Sequence, residues 1–134
     1  MSACERADFD SAHRAYQSGD YETALKQLKI LAHEGDMKAQ NNLGFMYLNA
    51  VGVELNYSKA LKWYRKAANQ GVAEAQHSMG YMYSEGLGTD PVYTIALKWY
   101  RLAAEQGLAQ AQYNLARMYE NNIGIRRDDD EVLS

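Results

Sequence analysis

The residues that could do chemistry in this chain are few, and they do not converge. The three histidines, His13, His33 and His77, lie in different stretches, and no His-x-x-x-His spacing supports a metal site. Asp10 and His13 fall at i, i+3, where a weak metal pair is conceivable and a surface histidine is the simpler reading. Gly86-Leu87-Gly88 lacks the lysine that a phosphate loop places after its glycines, and reads as a turn. No serine sits in a nucleophile elbow. Cys4 is the only cysteine, which excludes a disulfide within the chain and a cysteine-based metal site. Asp128-Asp129-Asp130 could attract a cation, but a solvated cap before a helix accounts for it. No catalytic constellation, metal or cofactor is therefore expected, and the chain is not read as an enzyme. What remains is recognition.

The elements that would position recognition residues are set by an internal repeat. Ala39-Gln40, Ala75-Gln76 and Ala111-Gln112 are spaced by 36 residues. Leu43, Met46 and Tyr47 recur as Met79, Met82 and Tyr83, then as Leu115, Met118 and Tyr119. Ala60-Leu61-Lys62-Trp63-Tyr64-Arg65 recurs letter for letter at 96–101. A fixed period of this length implies a stacked array of one small unit rather than a globule around a single centre.

Within a unit, Ala39, Leu43, Met46 and Tyr47 fall on one face of a helix, here called A. Ala60, Trp63, Tyr64, Ala67 and Ala68 fall on one face of a second helix, B. Gly35, Gly71 and Gly107 close the B helices. Asp20 and Asn56 are expected to cap two of them, and Asp90, with Pro91 at the first helical position, a third. The repeated alanines let helix axes approach, and Trp63 and Trp99 fill the wider gap between units. Gly44 and Gly80, in mid-helix, imply a close approach there, which Ala116 in the next unit suggests must tolerate a methyl group.

These features predict an all-α fold, an α-α superhelix or solenoid of stacked antiparallel helix pairs. The 134 residues read as a single repeat domain: a disordered start at 1–6, a short unit at 7–35, full repeats at 36–71 and 72–107, and a partial repeat at 108–134. The short unit lacks five residues of the A-to-B loop. With 47% apolar residues and a formal charge of −3, the composition is that of a globular protein. Basic residues are scattered, which argues against a nucleic-acid partner. No stretch is long and apolar enough to span a membrane, and the first residues lack the apolar run of a signal peptide.

The segments 39–47, Gly52-Val53 and 60–71 resemble the Sel-one-like repeat, a relative of the tetratricopeptide repeat, from about residue 7 onward. Gly86-Leu87-Gly88 keeps the Gly-x-Gly loop of that family, whereas Ala50 and Asn122 replace its first glycine, so those two loops are expected to turn differently. The start, Ala7-Asp8-Phe9-Asp10 with Gly19-Asp20-Tyr21, resembles the mature start of exported bacterial members; this favours a periplasmic or secreted protein that has lost a leader over a cytoplasmic one. The resemblance implies a scaffold or adaptor that holds a protein or peptide. The paired cysteines of members linked to penicillin-like compounds are absent, so that activity is not carried over.

The resemblance also implies that helix A lines the inner, concave surface. Its positions outside the packing pattern form three rows: Asp10, Asn41, His77 and Tyr113; Arg14, Phe45, Tyr81 and Arg117; Gln17, Leu48, Ser84 and Glu120. They vary between units, and their mixture of aromatic, amide and guanidinium groups suits peptide recognition. Asn41, Phe45, His77, Tyr81, Tyr113 and Arg117 are the candidate binding residues. The alternatives are a homodimer formed through the unpaired helix 108–120, by way of Leu115, Met118 and Tyr119, and an envelope accessory protein that binds cell-wall fragments.

Overall fold

In the computed structural model, which describes residues 8–121, seven helices follow one another and no strand occurs among the described residues. They are α1 (Phe9–Gln17), α2 (Tyr21–His33), α3 (Met37–Asn49), α4 (Tyr57–Asn69), α5 (Ala73–Glu85), α6 (Tyr93–Glu105) and α7 (Ala109–Glu120). Each helix packs on its neighbours in the chain, and α3 also touches α5. The odd-numbered helices are the A helices. The expected disorder at 1–6, Cys4, the loop at Asn122 and the aspartates at 128–130 lie outside the described residues.

The core follows the repeated letters. Ala39, Ala60, Ala67, Ala75, Ala96, Ala103 and Ala111 are fully buried, and Leu43, Met46, Met79 and Met82 fill the space between them. Trp63 is buried with its ring edge-on to His33 of the preceding unit, centroids 5.0 Å apart. Trp99 packs on the preceding units but is only partly buried.

Helix starts divide the chain. Asp8, Asp20, Asp36 and Asn56 each accept a hydrogen bond from the backbone amide three residues on, which caps α1 to α4. Val72, Val92 and Leu108 precede α5 to α7 and supply no side-chain cap. The expected Asp90-Pro91 cap is thus displaced: α6 begins two residues later, in register with Asn56, and Pro91 instead packs where a side chain on Gly86 would lie. The turn chemistry of Asp-Pro is local, and tertiary register overrides it.

Ala50 does not make its loop turn differently. It adopts the left-handed conformation (φ 56°, ψ 44°) that Gly86 adopts at the equivalent point (φ 71°, ψ 39°). That conformation disfavours a side chain by about 1–2 kcal/mol. The mid-helix glycines do mark a close approach, and the partner is a ring. A Cβ on Gly44 would lie 2.7 Å from the Tyr64 ring, and one on Gly80 2.7 Å from the Tyr100 ring. Neither contact tolerates a methyl group; Ala116 is exposed.

The repeated glutamines join one unit to the next. Gln40 Nε2 donates to Ala32 O (3.1 Å), while Gln70 Nε2 donates to both Gln40 Oε1 (2.8 Å) and Gly35 O (3.0 Å). The arrangement recurs one unit later: Gln76 donates to Ala68 O (3.2 Å), and Gln106 to Gln76 Oε1 (2.8 Å) and Gly71 O (2.9 Å). Gln40 and Gln76 are buried, so these bonds satisfy amides that would otherwise be costly to remove from water. The acceptors at Gly35 and Gly71 are carbonyls of residues held past the helix end in a Schellman turn.

Candidate functional site

With one stripe of each odd-numbered helix committed to these joints, another stripe stays free and carries the expected residues. Phe45, Tyr81 and Tyr113 are exposed to 45%, 42% and 64%. Asn41 and His77 are half-buried. Arg117 is exposed and stands over the Tyr113 ring, 5.8 Å from its centroid, in a cation–π contact.

Among the described residues, cavities open between successive odd helices, and three of them bear on the expected residues. One of about 120 Å³ lies between α1 and α3, lined by His13, Tyr16, Asn42 and Phe45. Another, of about 430 Å³, is lined by His77 of α5 and by Ala109, Gln110, Tyr113 and Asn114 of α7. The largest, about 480 Å³, has Tyr81, Ser84 and Glu85 on its α5 wall, Tyr93 and Tyr100 from α6, and Asn114, Arg117 and Met118 on its α7 wall, with Asn121 beyond.

The structure therefore brings His77 to Tyr113 and Tyr81 to Arg117, and sets Phe45 in a cavity of its own. Asn41 lines none of the three, but its Oδ1 is buried and has no hydrogen-bond partner among the described residues. Asp10, Arg14, Gln17 and Glu120 are exposed and line none of these cavities.

Sequence reasoning missed Asn42, Glu85, Tyr93 and Asn114. A signal for three of them was present: Tyr21, Tyr57 and Tyr93 recur at the start of every even helix, and Asn42 and Asn114 stand two periods apart. Tyr100 reads as core and is core, at 4% exposure, yet its ring also faces the largest cavity.

Burial disfavours the charged form of three side chains in this region, His77, Tyr64 and Tyr100. Burial lowers the His77 pKa below the usual imidazole value. Asn114 Nδ2 lies 2.9 Å from His77 Nε2; an amide nitrogen only donates, so Nε2 accepts and the proton sits on Nδ1. A depressed pKa gives a stabilising contribution that is present above the unfolded value and lost as pH falls through the folded one. Burial pushes the Tyr64 phenol up to about 12 and raises that of Tyr100, where the charges of Glu85 and Tyr81 add to the effect. Glu74 and His77, three apart on α5, have the spacing of a ligand pair that the sequence reading passed over. Among the described residues no group of three His, Cys, Asp or Glu could hold a metal ion.

The Sel1 repeat profile matches residues 38–72, 73–108 and 109–131. A Sel1 repeat protein from Oxalobacter formigenes superposes with a TM-score of 0.84 at 35% identity, over 94% of this chain and 52% of its own. A protective antigen present in uropathogenic Escherichia coli strains, which displays an SLR fold, superposes with a TM-score of 0.81 at 37% identity, over 88% of this chain and 26% of its own. The chain thus spans about half the length of the first and a quarter of the second. No curated protein matches it.

Proposed function

Because the chain belongs to the Sel1 repeat family, whose fold generally serves as a protein-interaction scaffold, we propose that the free stripe of α3, α5 and α7 binds an extended segment of a partner protein. Asn41, Phe45, His77, Tyr81, Tyr113 and Arg117 carry the contacts. The observation behind this reading is the placement of the cavities between successive odd helices, lined by side chains that change from unit to unit while the joints repeat. The chain works by binding, without catalysis, and a formal charge of −3 disfavours nucleic acid.

Paired replacement of Tyr81 and Arg117 by alanine should weaken an identified partner by at least about thirtyfold, the scale of a two-residue hot spot. Leu102→Ala, at an exposed position of α6 that lines none of the three cavities, serves as the control. Unchanged affinity in the double variant rejects the reading.

One observation favours a second reading, self-association through α7. Gly35 O with Gln40 Oε1, and Gly71 O with Gln76 Oε1, each receive a glutamine amide. No described residue donates in this way to Gly107 O and Gln112 Oε1, although Gln112 makes its own bond to Ala104 O (3.2 Å). Sedimentation across concentrations separates the readings: a monomer at every concentration removes the second.

A further inference from the structure

The largest cavity holds two opposite charges that do not meet. Glu85 belongs to its α5 wall and Arg117 to its α7 wall, and no ion pair joins them to one another or to any other described residue. Three tyrosines share the cavity with them: Tyr81 and Tyr93, both exposed, and Tyr100, buried. Glu85 and Tyr100 line the same cavity, and the Glu85 charge adds to the rise that burial causes in the Tyr100 phenol's pKa. On the opposite wall Asn114 adds an amide beside the guanidinium.

We propose that this cavity is a bipolar seat: it takes a peptide segment whose basic side chain goes to Glu85, whose acidic side chain goes to Arg117, and whose aromatic side chain lies between them on the tyrosines. This rests on the groove reading and names the chemistry of its partner. Seating any segment here strips water from both charges, and that is unfavourable unless each finds its opposite. A segment with only one charge satisfies one wall and leaves the other charge desolvated and unpaired. A segment with neither leaves both. The tyrosine faces add attraction for a lysine or arginine head on the Glu85 side, and the guanidinium fork gives a carboxylate two parallel hydrogen bonds on the other. Specificity then comes as much from what the seat rejects as from what it holds.

The test uses acetylated, amidated heptapeptides with a central Phe, flanked by Lys and Glu in both orders, by Lys and Gln, by Glu and Gln, or by Gln alone. Each is titrated into the full chain while backbone amide shifts are followed by NMR. The better Lys/Glu order should bind about tenfold tighter than the Gln peptide. Glu85→Gln should erase the advantage conferred by Lys, and Arg117→Gln that conferred by Glu. Both replacements are at exposed positions, and thermal melting checks that the fold persists. Equal affinity for charged and uncharged peptides, with shifts on the inner face, overturns the bipolar seat and leaves the groove reading standing. If no peptide moves any amide near Phe45, Tyr81 or Tyr113, the groove reading falls and takes the seat with it.

Discussion

Hairpin α3–α4 starts both of its helices with a capping side chain, Asp36 and Asn56, whereas hairpin α5–α6 starts both with valine. The two are otherwise built alike: the same glycine under a tyrosine ring, the same left-handed turn and the same glutamine joint. Their free stripes differ, Asn41 and Phe45 against His77 and Tyr81. The lesson is that packing between units tolerates little variation, because each side chain meets its copy's counterpart in a fixed socket. Helix starts and the inner face meet mainly water, and they vary. Hairpin α5–α6, without caps, depends more on its neighbours.

The tryptophans put this to the largest test. Trp63→Ala should destabilise the fold by about 3–5 kcal/mol, read from urea unfolding, because the ring is buried to 5% exposure. Trp99→Ala should lose about half as much, since its ring is only partly buried. Equal losses would mean that burial does not distinguish the hairpins.

Alkaline pH gives the next effect. Tyr64 titrates at about 12 when folded and near 10 when unfolded, so its contribution is intact below 10 and lost as pH rises toward 12. The loss is about 1.4 kcal/mol per pH unit in that window. Tyr64→Phe should show a correspondingly flatter decline, and a parallel decline in both proteins refutes the assignment.

The joints come third. Gln70→Ala and Gln106→Ala each strand a buried acceptor and should lose about 1–3 kcal/mol, alike in both hairpins. Gln112→Ala, at an exposed side chain, should change stability by less than about 0.5 kcal/mol. A large loss at Gln112 would show that its acceptor is occupied. The smallest effect is at the caps. Asn56→Ala should lose about 1 kcal/mol, and Val92→Asn should recover up to about as much for α6. No gain at Val92 would mean that the α6 amides are already satisfied.

Much of this was legible in the chain. The period gave the helix pairs, and the glycines past each even helix gave its end, because both signals are local or strictly repeated. The cap of α6 was misplaced at Asp90 because a local Asp-Pro signal competed with the register that Asn56 sets. The ring over Gly44 was not legible, since Tyr64 lies twenty residues away and a mid-helix glycine does not say what it approaches. For the free face, the alternation of packing and free positions on the odd helices singled out Phe45, Tyr81 and Arg117, each of which lines a cavity. It missed Tyr93 and Glu85, because a wall supplied by α6 and a carboxylate at a helix end follow no rule confined to one helix. Tyr100 shows the same limit: one aromatic ring can be core on one side and cavity floor on the other.

The glutamine joints all point the same way along the chain. In the bonds that cross from one hairpin to the next, the later hairpin donates and the earlier one accepts, so each hairpin brings amide donors to carbonyls that the end of its predecessor presents. Growth during synthesis, from the amino end onward, therefore lays down the acceptor carbonyls of each such joint before its glutamine donors.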